Sequence, residues 1–103
     1  MRSGLKTTDI RNIVTSGVSV RKRTISIKYL AGNDYRYSVV VTKKQGNAVQ
    51  RNRVKRVIRE IMRTRKNLYP RGEYLLYVNQ KCEDFQREPV STDINRIIRA
   101  LPQ

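Results

Sequence analysis

The sequence predicts a single-domain α+β fold, an α/β sandwich in the order α-β-β-α-β-α, with room for one more strand within 18–41. Three observations predict it. Apolar residues alternate between 25 and 41, they recur at helical spacing between 48 and 66, and a short apolar run at 74–78 precedes a second helical pattern. The 103 residues contain no repeat and no Pro/Gly-rich linker, so residues 1–103 are expected to pack as one unit.

Ile10, Ile13 and Val14 fall at i, i+3 and i+4, which predicts a short helix over 7–16 with Thr7 or Thr8 as N-cap and Gly17 as its stop. Ile25, Ile27 and Tyr29 then alternate, as do Tyr35, Tyr37, Val39 and Val41. The turn residues Ala31-Gly32-Asn33-Asp34 lie between the two runs, and the combination predicts a hairpin. Gly46-Asn47 opens the longest helical signal, from about Ala48 to Lys66, with Asn47 as N-cap and Gln50 as its capping-box partner. Val54, Val57, Ile58, Ile61 and Met62 make one face of that helix apolar and turn it toward a sheet. Tyr69-Pro70-Arg71-Gly72 closes the region, and Tyr74 to Val78 reads as a buried strand. Ser91 or Thr92 caps a last helix that presents Ile94, Ile97, Ile98 and Leu101 on one side.

Charge narrows the function. Lys and Arg number 23 against 8 Asp and Glu, a net charge of +15 that points to a polyanionic partner. The excess is concentrated: residues 36–71 hold twelve basic side chains and only Glu60 as an acid. Arginine outnumbers lysine 15 to 8, and the guanidinium fork suits phosphates and bases better than an ammonium. With no histidine and one cysteine, the usual zinc sites and Ser/His or Cys/His nucleophile pairs are excluded. Only Glu83-Asp84 are adjacent acids, and they read as solvated surface. Cys82 alone fits a reducing compartment, so a cytoplasmic location is expected; no run is long enough for a membrane span, and neither a membrane nor a small-molecule substrate is implied.

On the polar face of the long helix, Asn52, Arg56, Arg59 and Arg63 fall within about 60° of one another at ~100° per residue. Arg51, Arg53, Lys55 and Lys66 flank them. Such a ridge can lie along a phosphate backbone, with Asn52 offering a neutral donor and acceptor to a ribose or base edge. The plainer reading is a solvated charged face. Against it stand the near absence of acids for i,i+4 pairing, the choice of arginine, and Thr42-Lys43-Lys44 just before the helix N-terminus.

The segment Gly46-Asn47-Ala48-Val49-Gln50-Arg51-Asn52-Arg53-Val54-Lys55-Arg56-Val57-Ile58-Arg59-Glu60 closely resembles the Arg-Asn-Arg signature helix of the bacterial ribonuclease P protein subunit. The resemblance continues through Arg36 and Val39-Val40-Val41-Thr42-Lys43-Lys44, and more weakly through Leu5-Lys6, Asp9-Ile10 and Gly17, covering about residues 5–65. It implies the small protein partner of a catalytic RNA that removes the 5′ leader of precursor tRNA, with magnesium held mainly by the RNA. It also implies a mixed sheet with a left-handed β-α-β crossover through the signature helix, against the usual right-handed preference. By this resemblance Lys43, Lys44, Asn47, Arg51, Asn52, Arg53, Lys55, Arg56, Arg59 and Arg63 face the catalytic RNA. A cleft between the first helix and the open sheet face would take the leader, lined by Ile10, Val14, Ile25, Ile27, Arg36 and Tyr37. Members often carry aromatics where this chain has Ile10, Val14 and Ile25, tend to glycine at Ser38, and tend to an apolar residue at Gln45. Tyr29, Tyr35 and Tyr37 are the alternative stacking platform, or else half-buried packing.

Two rivals share the composition: a ribosomal or general structured-RNA-binding protein without a leader site, and a sequence-tolerant DNA-binding protein.

Overall fold

The computed structural model describes residues 2–3 and 5–101. Along the chain lie β1 (Arg2–Ser3), α1 (Thr7–Ser16), β2 (Val18–Arg21), β3 (Ile25–Ala31), β4 (Tyr35–Val40), α2 (Ala48–Thr64), β5 (Gly72–Val78), a 3-10 turn (Cys82–Asp84) and α3 (Arg87–Ala100). The strands form one mixed sheet in the order β1-β4-β5-β3-β2.

The expected hairpin between 25–31 and 35–41 does not form. β5 lies between the two strands, antiparallel to β3 from Ile25↔Val78 to Ala31↔Gly72 and parallel to β4 from Tyr35↔Gly72 to Val40↔Tyr77. Alternation and turn residues identify strands but not their neighbours. β5 is apolar on both faces, with Tyr74, Leu75 and Leu76 in succession all buried, and such a strand gains most at the centre of a sheet. The hairpin that does form joins β2 to β3, with Val18↔Tyr29 and Val20↔Ile27 in register. It supplies the extra strand for which 18–41 has room. The β3–β4 connection therefore passes the start of β5, where Gly72 has φ +149° and a Cβ would lie 2.5 Å from the Leu30 carbonyl oxygen. Only glycine fits there.

β4 and β5 are parallel neighbours joined through α2, so the long helix is a crossover element. Val54, Ile58, Ile61 and Met62 of α2 and Val90, Ile94, Ile97 and Ile98 of α3 bury against Ile25, Ile27, Tyr29, Tyr37, Val39, Tyr74 and Leu76 of the sheet. Val57 is only partly buried at the edge of this core. Helix α1 packs on the other face, contacting β3 and β5. There Ile13 and Leu75, both buried and both outside the main cluster, fill the space between helix and sheet.

Three helix ends differ from expectation. α1 is capped by Lys6, whose N–H donates to Asp9 Oδ2 (3.1 Å), rather than by Thr7 or Thr8. α2 stops at Thr64, where the Arg65 N–H turns back to the Met62 carbonyl in place of another α-helical turn. α3 starts at Arg87 instead of after Ser91 or Thr92, because Pro89 occupies its first turn, where a missing N–H costs no hydrogen bond.

Candidate nucleic-acid interface

The N-terminus of α2 is fixed from three sides. Asn47 Oδ1 accepts from the Gln50 N–H (2.8 Å) and Gln50 Oε1 from the Asn47 N–H (2.9 Å), the predicted reciprocal cap. Gln45 ties the preceding turn to the far end of β5: its Nε2 donates to the Val78 and Gln80 carbonyls (2.6 and 2.9 Å), while its Oε1 accepts from the Thr42 N–H (2.8 Å). The amide that replaces an apolar residue at this position is thus a connector between β5 and the entry to α2.

Past this anchor the polar face of α2 is open. Asn52, Arg53, Arg56, Arg59 and Arg63 are exposed, Arg51 and Lys55 are half-buried, and Lys43, Lys44 and Asn47 are exposed beside the helix start. A groove of ≈ 490 Å³ runs along the ridge, lined by Tyr37, Asn52, Arg56, Arg59, Glu60 and Arg63. Glu60 reaches Arg63 at 3.9 Å with both side chains well exposed, a pairing of little energetic weight that leaves the ridge cationic. Tyr37 donates its hydroxyl to the Arg59 carbonyl (3.3 Å). Burial pushes its phenol above the usual range although Arg59 and Arg63 pull it down, so the ring meets the ridge as a neutral group. Arg51 Nε is buried without an acceptor among the described residues.

The second surface lies across the sheet. Asp9 of α1 accepts from Arg36 Nη1 (3.3 Å), Arg36 Nη2 reaches Glu73 Oε2 (2.5 Å), and the Leu5 N–H donates to Ser38 Oγ (2.9 Å). These contacts hold the start of α1 over one end of the sheet. Burial, then Asp9, push the Glu73 carboxyl up, and Arg36 opposes them. On this face the structure corrects four expected leader-lining residues. Ile25, Ile27 and Tyr37 point the opposite way, into the core under α2 and α3, with 0–2% exposure. Arg36 does sit on the α1 face, but two carboxylates hold its guanidinium, so it fastens the helix instead of waiting for a phosphate. Ile10 is half-buried and Val14 is 51% exposed on α1.

Ile25 and Ile27 of β3 and Tyr37 of β4 have the wrong parity for that face, whereas Arg36 has the right one. The α1 face belongs to the intervening residues: Ser26 and Lys28 of β3, Ser38 and Val40 of β4, and Leu75 and Tyr77 of β5. The more apolar set in each strand seeks the larger core, and that rule would have found them. Tyr29 and Tyr35 are no platform either. Their hydroxyls donate to the Arg71 and Met62 carbonyls (2.6 and 2.8 Å) from within a cluster with Tyr69 and Tyr74.

Among the described residues no three His, Cys, Asp or Glu side chains gather as metal ligands, and no helix is long and apolar enough to cross a membrane. A basic helix whose arginines are exposed along one face defines a polyanion-binding surface. The family model described as Ribonuclease P matches residues 5–101. The ribonuclease P protein component of Petrotoga mobilis is 37% identical over 97 residues, covering 90% of this chain and 82% of that protein. That of Thermus aquaticus is 37% identical over 83 residues; the match covers 81% of this chain but only 50% of the longer Thermus protein. Among solved structures, the RNase P protein of Thermotoga maritima superposes with a TM-score of 0.84 at 26% identity, covering 99% of this chain and 100% of that one. The Staphylococcus aureus RNase P protein gives 0.84 at 25% identity over 95% of this chain and 93% of that one. The chain belongs to the ribonuclease P protein family, whose members act in tRNA 5′ processing as the protein subunit of a ribonucleoprotein endoribonuclease.

Proposed function

We propose that the α2 ridge binds the catalytic RNA of ribonuclease P and that the α1 face of the sheet receives the 5′ leader of precursor tRNA. The observation that carries this reading is the row Asn52, Arg53, Arg56, Arg59 and Arg63, exposed along one helix with Glu60 as its only acid. Lys43, Lys44, Asn47, Arg51 and Lys55 extend the contact around the helix start and flank. Arginine forks pair with phosphate oxygens in a fixed geometry, and the Asn52 amide reads a ribose or base edge. In this reading magnesium held by the RNA supplies the hydrolytic chemistry, and the protein contributes binding. On the leader side, Ile10 and Val14 offer apolar contact and Lys28 offers charge. The buried thiol of Cys82 suits a reducing cytoplasm, where tRNA precursors are made.

Each neutralised phosphate releases counterions, about 0.9 per contact on a duplex. Five or more contacts therefore predict that log affinity for a bacterial RNase P RNA falls with log salt at a slope of about −4 or steeper. Filter binding across a salt series measures it. A slope flatter than about −3 removes the phosphate-tracking ridge.

A further inference from the structure

Resting on the leader reading, we infer that Tyr77 is the stacking platform for one unpaired leader base, and that Lys28 beside it holds the phosphate of the same nucleotide. Stacking needs a ring that a base can reach. Of the seven aromatic side chains, Tyr29, Tyr37, Tyr69 and Tyr74 are buried in the core, and Tyr35 and Phe85 pack against it. Tyr77 alone lies on the α1 face, in register with Ser26 of β3 and Val40 of β4 and partly open. The contact of Asp9 with Arg36, level with Glu73, starts α1 toward the other end of the sheet, while Ser26, Tyr77 and Val40 lie level with one another beyond Leu75 and are each partly open.

The Lys28 ammonium stands 5.7 Å from the Tyr77 ring centroid. Lys28 and Tyr77 are diagonal neighbours across the β3–β5 ladder, since Lys28 pairs with Leu75 and Ser26 with Tyr77. At this distance the cation–π attraction is near its outer limit. An arriving nucleotide offers both partners a better contact: the base takes the ring face and the phosphate takes the ammonium. The platform also continues toward the α2 ridge, because Val40, level with Tyr77, leads within four residues to the exposed Lys43 and Lys44. A strand leaving Tyr77 along β4 therefore meets positive charge before it reaches the helix.

The test uses the holoenzyme reconstituted with a bacterial RNase P RNA, comparing affinity for precursor tRNA with affinity for mature tRNA. The wild-type protein should favour the precursor. Tyr77→Leu should lose roughly 5- to 150-fold of that preference, the range of one aromatic–base stack at tenfold per 1.4 kcal/mol. Tyr77→Phe should retain the preference, and Lys28→Gln should lower it while flattening its salt dependence by about one phosphate. A leader carrying 2-aminopurine at successive positions should show fluorescence quenching at one position, abolished by Tyr77→Leu. This readout in the wild type decides the matter even if the leucine variant folds poorly. A preference for precursor that survives Tyr77→Leu in a folded protein, or no quenching at any leader position, overturns the platform and leaves the leader reading standing. No preference for precursor in the wild type overturns both.

Discussion

Ile58→Asp abolishes the cooperative thermal transition of the isolated protein, and RNA binding with it. Ile58 is 0% exposed in the middle of α2, surrounded by the core that α2 and α3 share with the sheet. A carboxylate there has no cation within the apolar cluster, so it must either stay charged in a low dielectric or take a proton and remain unsatisfied. Either route costs several kcal/mol, against the roughly 5–15 kcal/mol that holds a domain of this size together. Val57→Asp provides the contrast. Although Val57 shares the apolar stripe in the sequence, it is only partly buried and borders a groove with Arg53 and Arg87. Its carboxylate can reach water and cation together, so that variant keeps a melting transition lowered by several degrees. Thermal unfolding followed by circular dichroism separates the two. A well-folded Ile58→Asp protein contradicts the helix phase on which the whole ridge depends.

Arg56→Ala combined with Arg59→Ala lowers affinity for the catalytic RNA on the order of a hundredfold near physiological salt while leaving the melting transition in place. Both side chains are exposed, and among the described residues neither forms an ion pair. They are therefore spectators of folding, and each is free for a charge-assisted contact of about 1.5–3 kcal/mol. The salt slope should flatten by about two contacts in the same experiment. Unchanged affinity would move the RNA surface off α2, and a lost transition would mean that the arginines support the core.

Much of this is legible in the sequence. The capping residues Asn47 and Gln50, the phase of Val54, Ile58, Ile61 and Met62, and hence the direction of the basic ridge, follow from local chemistry with a helical period. Local rules act within a few residues, and the interface is built on a single helix. The sheet was less legible because its neighbours are decided by long-range competition. Nothing between Ile25 and Val41 announces that Gly72–Val78 will part the two strands, and the turn at 31–34 would serve a hairpin equally well. The same limit misplaced the leader cleft. Period-2 alternation divides Ile25, Ile27 and Tyr37 from Ser26, Lys28 and Tyr77, yet it does not say which set faces which helix. That depends on where the larger core forms. Arg36 carried the family pattern, but its role emerged only once Asp9 and Glu73, 27 and 37 residues away in sequence, were seen to hold it.

As the protein subunit of a ribonucleoprotein, this chain serves a catalytic RNA and not a reaction of its own. The most direct test of that role is cleavage of precursor tRNA by a bacterial RNase P RNA at low magnesium, with and without the purified protein. The expected result is negligible cleavage by the protein alone, slow cleavage by the RNA alone, and a rise of at least about tenfold when both are present, with the 5′ leader released at the mature end. A folded protein that leaves the RNA's rate unchanged, or that cleaves the precursor in its absence, would contradict it.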